Sequence, residues 1–188
     1  MKKILPLLII SIICFGGLMA QDETKNEVKK VLQDKEKMQT LHQYFSATCF
    51  NNCWKFIEKS ELSAEDVENM IVLSNASLYH WKQREDCTPQ NLSIAYWQLG
   101  RVYVLAKELD IAKDYSQKCI DISLKNELSP FYIGYGYEAM ARTLAKQKDY
   151  DQAKLYLQKG YAELNEVTDK EDKKYLKTDL DNIREMIQ

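Results

Sequence analysis

From Asn26 onward, apolar residues recur every three to four positions, the spacing of helices that each bury one face. The first stripe runs Val28, Val31, Leu32, Met38, Leu41, Phe45, Cys49, Cys53, Ile57. It thins where charges fill Asp34 to Lys37, which predicts one long helix or two broken there. Ser60 to Ser63 is a turn, and Ser63 with Asp66 forms a capping-box-like start to the next helix. That helix carries Val67, Met70, Ile71, Leu73, Leu78 and Trp81 and is expected to end near Asp86. Thr88-Pro89 and Ser129-Pro130 are matching start signals, a capping residue followed by a proline suited to the first helical turn. Further helices are expected to begin near Asp110 and Tyr150. Thr168 with Glu171 predicts a capping box opening a last helix to about Ile187, with a thin stripe of Tyr175, Leu176, Leu180 and Ile183. With only six Gly and three Pro in 188 residues, the fold class is all-α.

Two stretches repeat one another. Aligning Ala112 with Ala153 brings Gly100 onto Ala141, Leu99 onto Met140, Arg101 onto Arg142, Tyr96 onto Tyr137, Tyr115 onto Tyr156 and Cys119 onto Gly160, a period of 41 residues. Small residues recur at three places in each unit (near 93–126 and 134–167), where two antiparallel helices can approach closely. Larger ones such as Tyr103 and Leu144 fill the space between.

This pattern of Leu99, Gly100, Tyr103, Ala112 and Tyr115 resembles the tetratricopeptide repeat. It departs from the family at Cys119, where a third Ala is usual, in lacking the terminal Pro, and in a period seven residues longer than about 34. The surplus is expected around Leu124 to Ser129, as a longer second helix or a longer loop. The segments SLYHW, NLSIAYWQLGRVY and FYIGYGYEAMAR are also similar to an uncharacterised group of bacterial tetratricopeptide-like proteins. The resemblance implies a right-handed solenoid of antiparallel helix hairpins, about three (38–85, 89–125 and 130–166) plus end helices. It also implies a concave groove built from the first helix of each hairpin. The charged last helix suits a terminal repeat, which needs a polar outer face.

Residues 1–20 stand outside this pattern. Lys2 and Lys3 precede an apolar run from Ile4 to Ile13, followed by Gly16, Gly17, Ala20 and polar Gln21. That is the layout of a secretory signal peptide cleaved after Ala20, and its short basic start suggests a bacterial protein, periplasmic or secreted. A single domain is then expected over 21–188. Without Lys2 and Lys3 the chain has 24 basic against 28 acidic residues, a formal charge of −4. This disfavours nucleic acid, whose binders carry a basic footprint. No other segment has the length and apolarity of a membrane span.

Chemistry is sparse in the sequence. Arg101 and Arg142 occupy the repeat position that faces the groove in the family it resembles. Trp97 and Glu138 lie one turn earlier, and Tyr135 one turn before Glu138. Two guanidinium forks beside aromatics suit a carboxylate clamp. The competing expectation is internal pairing, Arg142 with Glu138 at i,i+4. A second cluster joins His80, Trp81 and Arg84, with no partner for His80 at local spacing. Cys49, Cys53, Cys87 and Cys119 are available for disulfides, and their pairing is open. Cys49 and Cys53, one helical turn apart, have no second ligand pair, so no metal site is assigned. Neither a nucleophile triad nor a phosphate loop is visible, and no cofactor or catalytic residue is assigned. The leading expectation is an exported module that binds a peptide or partner protein in its groove. The alternatives are a small-ligand or enzyme-like site around His80, Trp81 and Arg101, and a structural subunit of an envelope assembly.

Overall fold

The computed structural model describes residues 24–188, and over these the protein is all-helical. The expected signal peptide, residues 1–20, lies outside the described residues. The chain divides into two compact units, Met1–Leu41 and His42–Gln188, with the boundary inside a helix. In the first unit, residues 24–33 are helical and the helix breaks at Asp34, within the charged stretch. There the Asp34 carboxylate accepts from the Lys37 N–H (3.1 Å), and its carbonyl accepts from Met38 N–H (3.0 Å), so the break starts the next helix.

That next helix is α1 (Lys35–Ile57). It is followed by α2 (Ala64–Gln83), α3 (Pro89–Leu105), α4 (Leu109–Lys125), α5 (Pro130–Lys146), α6 (Tyr150–Glu166) and α7 (Lys170–Met186). Side chains set many of the starts. Ser63 and Asp66 form a reciprocal capping box at α2, and Thr88 and Asn91 form another at α3, ahead of Pro89. Ser129 precedes Pro130 at α5 but makes no side-chain cap. At α7 the expected Thr168–Glu171 box is replaced. Asp169 is the N-cap and accepts from the N–H groups of Glu171 and Asp172 (2.9 Å each). A carboxylate also complements the positive end of the helix dipole better than a hydroxyl does. Helix α2 ends at Gln83, slightly before the expected Asp86.

Helices α3 to α7 are each 17 residues long. The connection between α4 and α5 spans only residues 126–129. It is too short to hold a seven-residue surplus, so the long period resides in the helices. Three of the turns share one solution. Lys107, Glu127 and Lys148 adopt positive φ (64°, 49° and 64°) just past a helix end. In each, the next N–H reaches back to a carbonyl in the last turn: Glu108 to Tyr103, Leu128 to Ser123, Asp149 to Leu144. These are Schellman closures, here made without glycine.

Each of α2 to α6 touches its successor, and α3 touches α5 as α5 touches α7. The small repeat positions do what their size suggests. Ala112, Cys119, Ala141 and Ala153 are fully buried at helix crossings. Gly160 lies where an added Cβ would stand 2.7 Å from Leu180 Cδ2. The largest core cluster joins α5, α6 and α7 through Met140, Leu144, Leu157, Leu164, Leu176, Leu180 and Ile183. Each fully buried leucine or isoleucine there contributes roughly 1.5–3 kcal/mol. The thin stripe of α7 is therefore a complete core face. A second cluster joins α1, α2 and α3 through Cys53, Ile57, Met70 and Val102. Among the described residues no helix is long and apolar enough to cross a membrane.

Candidate functional site

The 41-residue register decides which side chains meet. Trp97 on α3 and Glu138 on α5 are one period apart, and one further period reaches Asp179 on α7. All three converge. Trp97 Nε1–H donates to Glu138 Oε2 (2.9 Å), and Arg142 donates to Glu138 Oε1 through Nε (2.6 Å), with its Nη2 ion-paired to the same oxygen at 2.5 Å. Arg142 Nη2 also reaches Asp179, 3.3 Å from Oδ1 and 3.4 Å from the backbone carbonyl. Tyr135 donates its hydroxyl to Asp179 Oδ2 (3.2 Å). Arg101 comes from the neighbouring repeat, its Nη1 3.6 Å from Asp179 Oδ1 and 3.9 Å from Glu138 Oε1, with its guanidinium over the Trp97 ring at 5.9 Å.

All five residues singled out from the sequence as groove contacts, Trp97, Arg101, Tyr135, Glu138 and Arg142, thus belong to one cluster. Their roles divide by depth. Glu138 is 1% exposed and Arg142 8%, so both sit behind the surface and pair with each other at i,i+4. Two arginines face two carboxylates, which leaves no net cationic charge for a carboxylate clamp. The Nη1 of Arg101 is itself buried and makes no hydrogen bond. Burial, and then the Glu138 carboxylate, push the Asp179 carboxyl above its usual range, against the pull of Arg101 and Arg142. Burial and the Asp179 charge together raise the Tyr135 phenol well above its ordinary value, so it remains a hydrogen-bond donor at any neutral pH.

In front of this cluster lies a cavity of about 350 Å³. Its walls are mostly aromatic: Trp54 from α1, Trp97 from α3, Phe131, Tyr132 and Tyr135 from α5, and Tyr175 from α7. Asp179 is the one charged residue among those lining it. Several rings meet near right angles, Trp97 with Tyr135 at 71° and Phe131 with Tyr135 at 82°, while Trp54 and Trp97 lie 5.8 Å apart and tilted by 33°. These edge-to-face contacts are favourable and fix the orientation of the rings that wall the cavity. Tyr132 is held at the edge by Gln90, whose Nε2–H donates to the Tyr132 hydroxyl (2.6 Å). Sequence reasoning missed Asp179, Trp54, Phe131, Tyr132 and Tyr175 as members of this site. Extending the 41-residue register by one more step would have found Asp179.

The second cluster, His80, Trp81 and Arg84, resolves into separate contacts. His80 Nδ1 lies 2.8 Å from Nδ1 of His42, the other histidine, which α1 brings across from 38 residues away. Burial, then the nearby His42, lower the His80 pKa. Arg84 stacks on Trp81 (3.8 Å to the ring centroid) and is held by a two-pronged bond to Asp86 (2.8 and 2.7 Å) and by Ser46 Oγ (2.9 Å). Arg101, by contrast, belongs to the ion cluster of α3, α5 and α7. Cys49, Cys53, Cys87 and Cys119 are all free thiols. Burial pushes the Cys53 and Cys119 thiols up to about 12. Among the described residues no group of three or more His, Cys, Asp or Glu side chains is arranged to hold a metal ion.

No family model, curated protein or solved structure matches the chain.

Proposed function

We propose that this protein is an exported, tetratricopeptide-like binding module that takes a short segment of a partner protein in the aromatic cavity along α3, α5 and α7. The observation that carries this is the cavity itself. Six aromatic side chains from four helices surround about 350 Å³ of open space, and Tyr175 is 56% exposed. Aromatic side chains that keep apolar surface in water, on a rigid frame, suit partner anchors. The ion cluster behind them supports the reading, because it fixes Trp97 and Tyr135 before any partner arrives and so reduces the ordering cost of binding. The contacts between alternate helices and the 41-residue register are what a solenoid of hairpins would require. The apolar, signal-like run at residues 4–13 favours an exported address.

The test is selection of a displayed peptide library on the purified protein, with a Tyr132→Ala/Tyr175→Ala variant run in parallel. Both changes lie at the cavity edge and leave the ion cluster intact. Peptides enriched on the wild type and lost on the variant are expected. An absence of enriched peptides, or peptides that bind the variant equally well, would overturn the assignment.

A further inference from the structure

The composition of the cavity wall specifies the chemistry of its occupant. Among its lining residues six are aromatic, the one charged side chain is the Asp179 carboxylate, and no lysine or arginine appears. The faces of aromatic rings carry negative potential, and a cation placed among several of them is attracted by each. An anion would meet those same faces and Asp179. The two nearby arginines cannot reverse this preference. Arg142 is bonded to Glu138 and Asp179, and Arg101 has its Nη1 buried between the same two carboxylates. The protein already uses this chemistry elsewhere on its surface: Lys118 lies over Tyr115 at 4.6 Å, and Lys159 over Tyr156 at 4.8 Å.

We infer that the cavity is an aromatic cage for a basic side chain, and that the partner segment presents a lysine flanked by apolar residues, its ammonium directed at Asp179. This rests on the proposed groove reading and sharpens it. The cavity is larger than one lysine side chain fills, so neighbouring apolar side chains have room against Phe131, Tyr132 and Tyr175. Asp179 is part-buried and raised by its surroundings, and an incoming ammonium would offset that desolvation by its charge, favouring the ionised carboxylate. Lysine carries a compact ammonium on a flexible four-carbon stem, which can pass between the rings and reach Asp179 as a point charge.

Three acetylated and amidated tripeptides, Leu-Lys-Leu, Leu-norleucine-Leu and Leu-Glu-Leu, test this by NMR titration of the tryptophan indole N–H signals. Choline is run as a fourth probe. The lysine peptide is expected to bind at least tenfold more tightly than the norleucine peptide, with the glutamate peptide weakest. Phe131→Leu, which keeps the cavity apolar but removes one ring face, should weaken the lysine peptide several-fold and leave the norleucine peptide unchanged. Asp179→Asn should shrink the lysine advantage. Norleucine binding as well as lysine would overturn the cage while leaving the groove reading standing. Silence of all four probes would overturn both. Choline binding without the lysine peptide would also overturn the proposal, in favour of a small ammonium ligand.

Discussion

Replacing Glu138 by leucine tests whether the ion cluster holds α3, α5 and α7 together. Glu138 is 1% exposed, accepts hydrogen bonds from Trp97 Nε1–H and Arg142 Nε–H, and is ion-paired with Arg142 Nη2. Its removal leaves a guanidinium that is 9% exposed facing a single remaining carboxylate, Asp179 at 3.3 Å, and strands the Trp97 N–H. Breaking a buried ion pair by deleting one partner costs about 3–5 kcal/mol, and because Asp179 still faces Arg142 the lower end, about 3 kcal/mol, applies. With a urea dependence near 2 kcal/mol per molar for a domain of this size, the unfolding midpoint should fall by about 1.5 M. The paired change Glu138→Leu/Arg142→Leu removes both charges and should recover most of that loss, since a buried pair is often replaceable by apolar side chains of similar volume. Urea denaturation followed by tryptophan fluorescence measures both variants. A Glu138→Leu midpoint within about 0.4 M of wild type, or a double variant less stable than the single, would refute the reasoning.

The His42–His80 contact makes a pH prediction. Because the folded protein lowers the His80 pKa from 6.5, the unfolded chain takes up the proton first, so the contribution is intact above pH 6.5 and is lost as pH falls through the folded value. Thermal melts should show an acid-side loss of stability that His80→Gln reduces, and an unchanged profile would count against it. Lys148→Gly and Lys107→Gly should each raise stability by about 0.5–1 kcal/mol, since relief of a left-handed backbone at φ 64° exceeds the entropy that glycine adds to the unfolded chain. In a chain this size that is about 2 °C in melting temperature per site by calorimetry. Cys53 and Cys119, with thiols pushed up to about 12, should stay silent to a thiol reagent at pH 8 until the protein is unfolded, and prompt labelling of either in the native state would contradict their burial.

Helix number, order and most helix starts were legible because they rest on local chemistry. Thr88-Pro89 and Ser63 with Asp66 are short signals whose partners lie three residues away. The α7 start was misjudged by one residue because Thr168 and Asp169 are both competent caps and only the packed helix selects between them. In the site, Trp97, Glu138, Arg101 and Arg142 stood out because they recur at the repeat period. Asp179 carried the same period but lay in the charged last helix, beyond the two aligned repeat units, where Leu176, Leu180 and Ile183 are fully buried. Trp54 sits in a hairpin without an alignable motif, and the His42–His80 contact links two helices 38 residues apart. Neither leaves a trace in local spacing. The depth of Glu138 and Arg142 was also hidden, because an i,i+4 ion pair looks the same in sequence on an exposed face or under one.

The short reach of the contacts has a kinetic consequence. When helices touch mainly their successors, with α3 and α5 also reaching the helix after next, loops are cheap to close, and folding can begin at any hairpin and spread outward. Such a chain would ordinarily also come apart piecemeal, fraying from its C-terminal end. The charged cluster works against that, because Asp179 on α7 is bonded to α5, and α5 is bonded through Glu138 to α3. Amide hydrogens of α3, α5 and α7 should therefore exchange with solvent together, in one opening event, and neutralising Glu138 should split that event into two.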